Sequence, residues 1–232
     1  MSKADRRGIV VLLSGRGSNY QALRLAESSG RLGGSIRGVI SDRPEAGGLA
    51  RALRDGVPAV CVDRSAHAER SGFEITLAET IAASGAYWIV MAGFMRVLSA
   101  HFVTEHAGRM VNIHPSLLPR HRGLKTHQRV LDAGERDHGA SVHFVTAELD
   151  GGPVIAQAHL TVEPDDTPER LAERLLPLEH RLFPATMALL LRSPVEARNG
   201  TVLVKGKKID APLVLGRDLD DGGDLLDRFC RD

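Results

Sequence analysis

Apolar segments without polar alternation recur through the first half of this 232-residue chain, each followed by a helix-length segment. The segments expected to form strands are 9–13, 36–40, 59–62, 88–92 and 110–114. Uninterrupted apolar runs are typical of strands that are buried on both faces. Because strands and helices alternate at this spacing, the pattern predicts an α/β fold with a Rossmann-like, doubly wound, mostly parallel sheet.

The pattern changes after His114. A helix is expected at 126–133, but the extended segments 140–146 and 154–162 have no helix between them, which predicts an antiparallel or mixed C-terminal part. Thr167-Pro168-Glu169 is typical of a helix start, with Thr as the N-cap and Pro at the first helical position. Pro177 and Pro184 each remove a helical hydrogen bond and therefore predict kinks.

We expect one domain over residues 1–192. Residues 193–232 are expected to form a C-terminal extension with a small strand at 201–204. Its last part, from about Gly216, is rich in aspartate and is predicted to be a mobile acidic tail.

Charge and cysteine content narrow the classes of function. The formal net charge of +1 gives no global basic field, so nucleic acid is not an expected partner. Cys61 and Cys230 have no metal-ligand spacing and favour a reduced, cytoplasmic protein. The first apolar segment is too short for a signal peptide or membrane span. We therefore expect small-molecule substrates and no membrane association, with monomer and homodimer both open.

A glycine-rich turn, Ser14-Gly15-Arg16-Gly17-Ser18-Asn19, lies between the first strand and the first helix. Backbone N–H groups at a helix N-terminus favour anions there. The turn lacks the lysine of a P-loop and the third glycine of a dinucleotide fingerprint, so ATP and NAD are not expected. A plain tight turn is the alternative, but together with the motifs below we favour phosphate binding.

The strand at 110–114 and a later turn contain the groups that acyl transfer needs. Alternation along the strand would point Asn112 and His114 to the same side, at the carboxyl end where open α/β sheets bind ligands. An amide can donate to a developing oxyanion, and an imidazole held charged by a carboxylate can do the same or move a proton. Asp150, in the turn of LDGGPVI, is the candidate carboxylate. The predicted reaction needs no metal and no covalent enzyme intermediate.

Three segments together resemble a known family. They are SGRGSN at 14–19, NIHPSLLP at 112–119 and HGASVHFVTAELDGGPVI at 138–155. All three are similar to segments of the phosphoribosylglycinamide formyltransferases, and the similarity runs from about Gly8 to about Arg192. It implies the formyltransferase fold, 10-formyltetrahydrofolate as co-substrate, and transfer of its formyl group to the amine of 5-phosphoribosylglycinamide in de novo purine biosynthesis. The domain over residues 1–192 would then be catalytic, with a phosphate-binding N-terminal half and a folate-binding, catalytic C-terminal half.

The resemblance also implies a role for each matching residue. His114 would be the catalytic histidine, Asp150 its partner, and Asn112 an oxyanion donor that also contacts folate. The glycinamide ribonucleotide would be held by Gly17, Ser18, Asn19 and Glu179. The folate would be bound by Arg70, Met95, Arg96, Val97 and Leu98. Whether Asp150, His114 or a water carries the proton from the amine to N10 stays open.

The chain departs from the family pattern at three positions. Arg122 stands where proline is usual, Lys125 where histidine is usual, and Pro177 lies two residues before Glu179. Two alternatives within the formyl-folate enzymes are a formyltetrahydrofolate hydrolase and a formyltransferase for another amine. A methionyl-tRNA formyltransferase would need a basic, nucleic-acid-binding C-terminal domain, which the acidic end does not match. A binding protein without catalysis is the alternative from another class.

Overall fold

The computed structural model describes residues 7–226, which form two compact units divided between Asn112 and Ile113. The first unit alternates strands and helices. Its elements are β1 (Gly8–Leu13), α1 (Ser18–Ser28), β2 (Ser35–Ser41), α2 (Gly47–Arg54), β3 (Ala59–Cys61), α3 (Arg70–Ala83), β4 (Trp88–Met91), α4 (Ala100–Glu105) and β5 (Met110–His114), whose last two residues belong to the second unit.

The strands of the first unit form a parallel sheet in the order β5-β4-β1-β2-β3. Every residue of β1 and β4 is buried, as expected for strands covered on both faces. Because β1 lies between β2 and β4, the order of the strands reverses at β1. Such a switch point is where open α/β sheets bind ligands, at the carboxyl ends of the strands.

The second unit is built differently. It contains α5 (Thr126–Asp132), β6 (Asp137–Phe144), β7 (Val154–Thr161), α6 (Pro168–Arg192), β8 (Val195–Arg198), β9 (Thr201–Val204), β10 (Lys207–Lys208) and β11 (Leu213–Val214). β6 and β7 are antiparallel, β11 is parallel to β7, and β8, β9 and β10 form a separate antiparallel sheet. The predicted fold class, mostly parallel with an antiparallel and mixed C-terminal part, is confirmed.

The helix α6 provides much of the core of the second unit. Its start is as predicted, because the Thr167 hydroxyl accepts the backbone N–H of Arg170 at 3.2 Å. Nearly every residue from Leu182 to Leu191 is buried, and the helix packs on β6 and β7. Pro177 and Pro184 lie inside this one continuous helix. None of the helices between residues 7 and 226 is long and apolar enough to cross a membrane.

Two local predictions differ from the structure. The sequence predicts a helix from about 66 to 84, but in the structure it begins at Arg70, because Asp63 first caps a short 3-10 turn and Glu69 is extended. The acidic segment after Gly216 is not a mobile tail as far as residue 226. Leu219 is fully buried there, and a Cβ on Gly223 would overlap the α6 backbone at Ala185. The prediction was wrong because it relied on a composition with six aspartates and gave no weight to the one leucine that is buried. Residues 227–232 lie outside the described part.

Candidate active site

The glycine-rich turn connects β1 to α1 in the first unit. Gly17 precedes the helix with φ of 76°, and a Cβ there would be 2.7 Å from the Cα of Gly48. Glycine is therefore needed both for the backbone conformation and for the close approach. Because Gly17 has no side chain to cap the helix, the first-turn N–H groups at Ser18 and Asn19 are suited to an anion.

The segment after β4 lies beside this turn at the switch point of the sheet. The backbone N–H of Ser14 donates to the Gly93 carbonyl at 3.0 Å, and the Ser14 hydroxyl accepts the N–H of Met95 at 2.8 Å. Met95 and Val97 expose 61% and 64% of their surface, whereas Leu98 is buried. Exposed apolar side chains on an irregular segment at a ligand-binding edge are suited to a flat heterocycle.

Two buried carboxylates hold this segment in place. Asp42, whose side chain is fully buried, accepts Arg96 Nε at 2.6 Å. Glu74 on α3 accepts the backbone N–H of Ser99 at 2.7 Å and also bonds the Ser99 hydroxyl. Burial opposes the ionisation of Glu74, but hydrogen bonds from Ser99 and Arg70 outweigh it, so its pKa lies below the usual value. Arg70 reaches on to the Val97 carbonyl at 2.6 Å.

The candidate catalytic pair is in the second unit. His114, the last residue of β5, has its Nδ1 3.4 Å from Asp150 Oδ2, and both side chains are about nine-tenths buried. Asp150 has φ of 48° and also accepts the backbone N–H of Gly123 at 2.9 Å. Aspartate tolerates this left-handed conformation better than most residues. The turn thus presents a carboxylate to the ring of His114.

The other ring nitrogen of His114 faces a backbone carbonyl. Nε2 lies 3.0 Å from the carbonyl oxygen of His121, which can only accept a hydrogen bond. Because Nδ1 faces a carboxylate, both ring nitrogens face hydrogen-bond acceptors. The distance of 3.4 Å at Nδ1 is longer than a full hydrogen bond, so this N–H is available to share with another acceptor.

A second histidine lies behind Asp150. His143 is buried, its Nδ1 is 2.9 Å from the Phe144 carbonyl, and its Nε2 is 3.7 Å from Asp150 Oδ1. Burial lowers the pKa of His143 and the charge of His114 lowers it further, against the opposing effects of the carbonyl and Asp150. A neutral His143 that donates from Nδ1 fits these neighbours.

Comparison with known proteins identifies the family. The profile described as formyl transferase matches residues 7–187. The chain belongs to the formyl transferase family. It is 39% identical over 201 residues to phosphoribosylglycinamide formyltransferase of Escherichia coli (strain K12), which covers 87% of this chain and 95% of the relative. It is 41% identical over 206 residues to the trifunctional purine biosynthetic protein adenosine-3 of Drosophila melanogaster, covering 88% of this chain and 15% of that protein.

Solved structures of relatives in this family have the same fold as this chain. Phosphoribosylglycinamide formyltransferase of Coxiella burnetii superposes with a TM-score of 0.86 at 44% identity, covering 90% of this chain and 99% of that one. Glycinamide ribonucleotide transformylase 1 of Symbiobacterium toebii superposes with a TM-score of 0.83 at 40% identity, covering 86% and 94%. The chain is thus an enzyme of this family with the same fold over most of its length.

The structure places the residues predicted from the sequence in both units. His114 and Asp150 are brought together, and Arg70 contacts the segment that holds Met95, Arg96, Val97 and Leu98. Asn112 pairs in register with Met91 and lies two residues before His114 on β5. Glu179 lies partly exposed in the middle of α6. Their roles in catalysis and binding stay predictions.

Sequence reasoning missed several groups around this pair. It did not assign a role to His143, although His143 precedes Asp150 in the quoted motif at strand spacing from Ser141. The carbonyl of His121 and the amide of Gly123 are backbone groups, so no side-chain pattern could have signalled them. In the first unit, the sequence analysis assigned no role to Asp42 or Glu74, and the structure buries both. No group of three or more His, Cys, Asp or Glu side chains within residues 7–226 is arranged to hold a metal ion.

A histidine pair near the site, in which His138 is buried, predicts a pH-dependent stability. His127 Nδ1 and His138 Nε2 are 2.9 Å apart; burial first, and the neighbouring His127 second, lower the pKa of His138 to about 4. Below pH 6.5 the unfolded chain binds a proton at this residue and the folded protein does not. The free energy of unfolding therefore decreases as the pH is lowered. We expect the wild type to lose about 2 kcal/mol more than His138→Gln between pH 7 and pH 5.

Urea unfolding at a series of pH values measures this difference. His101→Gln is the matched control, because the His101 side chain is 84% exposed on α4. The control should keep the pH dependence of the wild type. Equal pH dependence in His138→Gln and His101→Gln would show that the buried His138 contributes nothing to the pH dependence of stability.

Proposed function

We propose that this chain transfers the formyl group of 10-formyltetrahydrofolate to the amine of 5-phosphoribosylglycinamide, giving formylglycinamide ribonucleotide and tetrahydrofolate. The observation that carries the proposal is the buried pair of His114 and Asp150 at the end of β5, in a chain of the formyl transferase family. Relatives that it matches over most of their length are named for this activity. The proposed setting is cytoplasmic purine synthesis on small-molecule substrates, by a monomer or homodimer.

The proposed substrate sites follow the sequence prediction. The ribose phosphate binds the N-terminus of α1 at Gly17, Ser18 and Asn19, supported by a helix start without a side-chain cap. Glu179 holds the glycinamide part. The folate binds along Met95, Arg96, Val97 and Leu98 with Arg70 as a basic contact, supported by the exposed apolar surface there and by the bond from Arg70 to the Val97 carbonyl.

In the proposed reaction the amine attacks the formyl carbon, and negative charge develops on the formyl oxygen. Asn112 and His114 donate hydrogen bonds to that oxygen, each stabilising the transition state by about 3 kcal/mol. His114 donates from Nδ1, the nitrogen with the long contact to Asp150, while Nε2 stays bonded to the His121 carbonyl. Asp150 keeps the ring charged. Asp150, His114 or a bound water then moves the proton of the amine to N10, and no metal takes part.

The release of tetrahydrofolate from 10-formyltetrahydrofolate, with and without 5-phosphoribosylglycinamide, tests the proposal. We expect release only when the ribonucleotide is present, with one formylglycinamide ribonucleotide formed per folate. Release without the ribonucleotide would replace the proposal with hydrolysis. Release that needs a different amine would retain the chemistry but change the substrate.

A further inference from the structure

The loop from Arg120 to Gly123 approaches both members of the catalytic pair with its backbone. The carbonyl of His121 accepts from His114 Nε2 at 3.0 Å, and the amide of Gly123 donates to Asp150 Oδ2 at 2.9 Å. The loop thus supplies an acceptor to the imidazole and a donor to the carboxylate. The position of this loop therefore determines the geometry of the pair.

The carbonyl of His121 is aimed by a backbone conformation that needs support. His121 has φ of 52°, in the left-handed region that is strained for a residue other than glycine. Something in the surrounding structure must compensate for this. Ser116 does so in part, because its hydroxyl donates to the carbonyl of Arg120 at 2.7 Å.

The carboxylate of Glu135 binds the side chain of His121 and that of the preceding residue, Arg120. Glu135, three residues after the end of α5, accepts His121 Nε2 at 2.9 Å and Arg120 Nη1 at 2.7 Å. The side chains of His121 and Glu135 are 12% and 22% exposed, so water weakens this contact less than it weakens a surface ion pair. Glu135 touches neither His114 nor Asp150 directly.

We propose that Glu135 is a positioning residue for formyl transfer, because it holds His121 in the conformation that anchors Nε2 of His114 and leaves Nδ1 to the substrate. This inference rests on the proposed function for its kinetic consequence. Its structural consequence, a fixed Nε2–H on His114, does not depend on turnover.

The test compares Glu135→Gln with Glu163→Gln in the full chain. Glu163 is a matched control in the same unit, because its carboxylate also bridges two cations, Arg170 and Arg174, at 2.6 and 2.9 Å. We expect Glu135→Gln to lower kcat about tenfold with KM for both substrates changed less than twofold, since a misplaced donor affects the transition state most. The Glu163 variant should keep the kcat of the wild type.

The ring N–H of His114, observed by nitrogen-edited NMR, is the second readout. In the wild type we expect a slowly exchanging Nε2–H signal that Glu135→Gln removes. His121→Phe should have the same effects, and the double variant should be no worse than either single one, because all three break the same contact. An unchanged kcat in Glu135→Gln, or a reduced kcat with the Nε2–H signal intact, would overturn the proposal. If the wild type forms no formylglycinamide ribonucleotide but the signal behaves as expected, only the proposed function fails.

Discussion

Replacement of Asp150 by asparagine is expected to lower kcat about 10²- to 10⁴-fold, the range for loss of a group that controls the proton. Asparagine has nearly the same shape and also tolerates φ of 48°, so the turn should keep its conformation. An Asn oxygen in the Oδ2 position can still accept from Gly123 and face His114 Nδ1, and the NH₂ would face His143 Nε2, but the negative charge beside the His114 ring is lost. The amide also cannot take up the proton of the attacking amine, so both proposed roles of the carboxylate are removed. Steady-state formyl transfer measures the loss.

Binding of tetrahydrofolate distinguishes lost chemistry from a lost site in this variant. We expect the dissociation constant to change little, because the folate contacts proposed for the chain lie in another segment. Asp210→Asn is the matched control, since Asp210 is an exposed aspartate of the same unit. Turnover within a factor of three of the wild type in Asp150→Asn would contradict the catalytic role of this carboxylate. A protein that binds folate and has no turnover in either form would be a binding module.

Replacement of Gly152 by alanine is expected to destabilise the protein by about 3 kcal/mol, as overpacking against backbone does. A Cβ on Gly152 would overlap the carbonyl oxygen of Phe144, and neither backbone can move easily because the Phe144 N–H is bonded to the Pro153 carbonyl at 3.0 Å. For a chain of this length the loss corresponds to a lower melting temperature by about 6–12 °C. Activity should fall as well, since the same turn presents Asp150.

Thermal unfolding followed by circular dichroism measures the effect. Gly72→Ala is the control, because Gly72 lies inside α3 and a Cβ there makes only ordinary contact with His67. Alanine is the better helix former, so this variant should be stabilised by about 0.5–1 kcal/mol. The two substitutions are chemically the same and are expected to act in opposite directions. A Gly152→Ala protein as stable as the wild type would mean that the turn relaxes without cost.

Local patterns were enough to predict most of the secondary structure. The strand expected at 110–114 is β5, and the segment at 9–13 lies within β1, because an apolar run bounded by polar turns has few other solutions. Thr167 began α6 as predicted, since capping depends on neighbours in sequence. The tail beyond Gly216 was mispredicted because burial of Leu219 depends on contacts that composition does not report.

The candidate site shows the same division. Asn112, His114 and Asp150 were selected from residue type and motif, and the fold brings His114 and Asp150 within 3.4 Å. No pattern in the sequence singled out the residues that contact this pair or that we propose position it. His143 had no distinguishing signal among ten histidines, and Glu135 is one of many acidic residues in a polar segment.

The sequence by itself determined the alternation of strands and helices, the family, and the choice of candidate reactive side chains. These follow from local periodicity, from turn chemistry and from motifs. Only the tertiary structure decided that the two nitrogens of His114 meet the Asp150 carboxylate and the His121 carbonyl, that Asp150 and His121 adopt left-handed conformations, and which carboxylates are buried. The physical reason is that a hydrogen bond across 27 residues, such as that from Gly123 to Asp150, depends on the path of the whole chain between them.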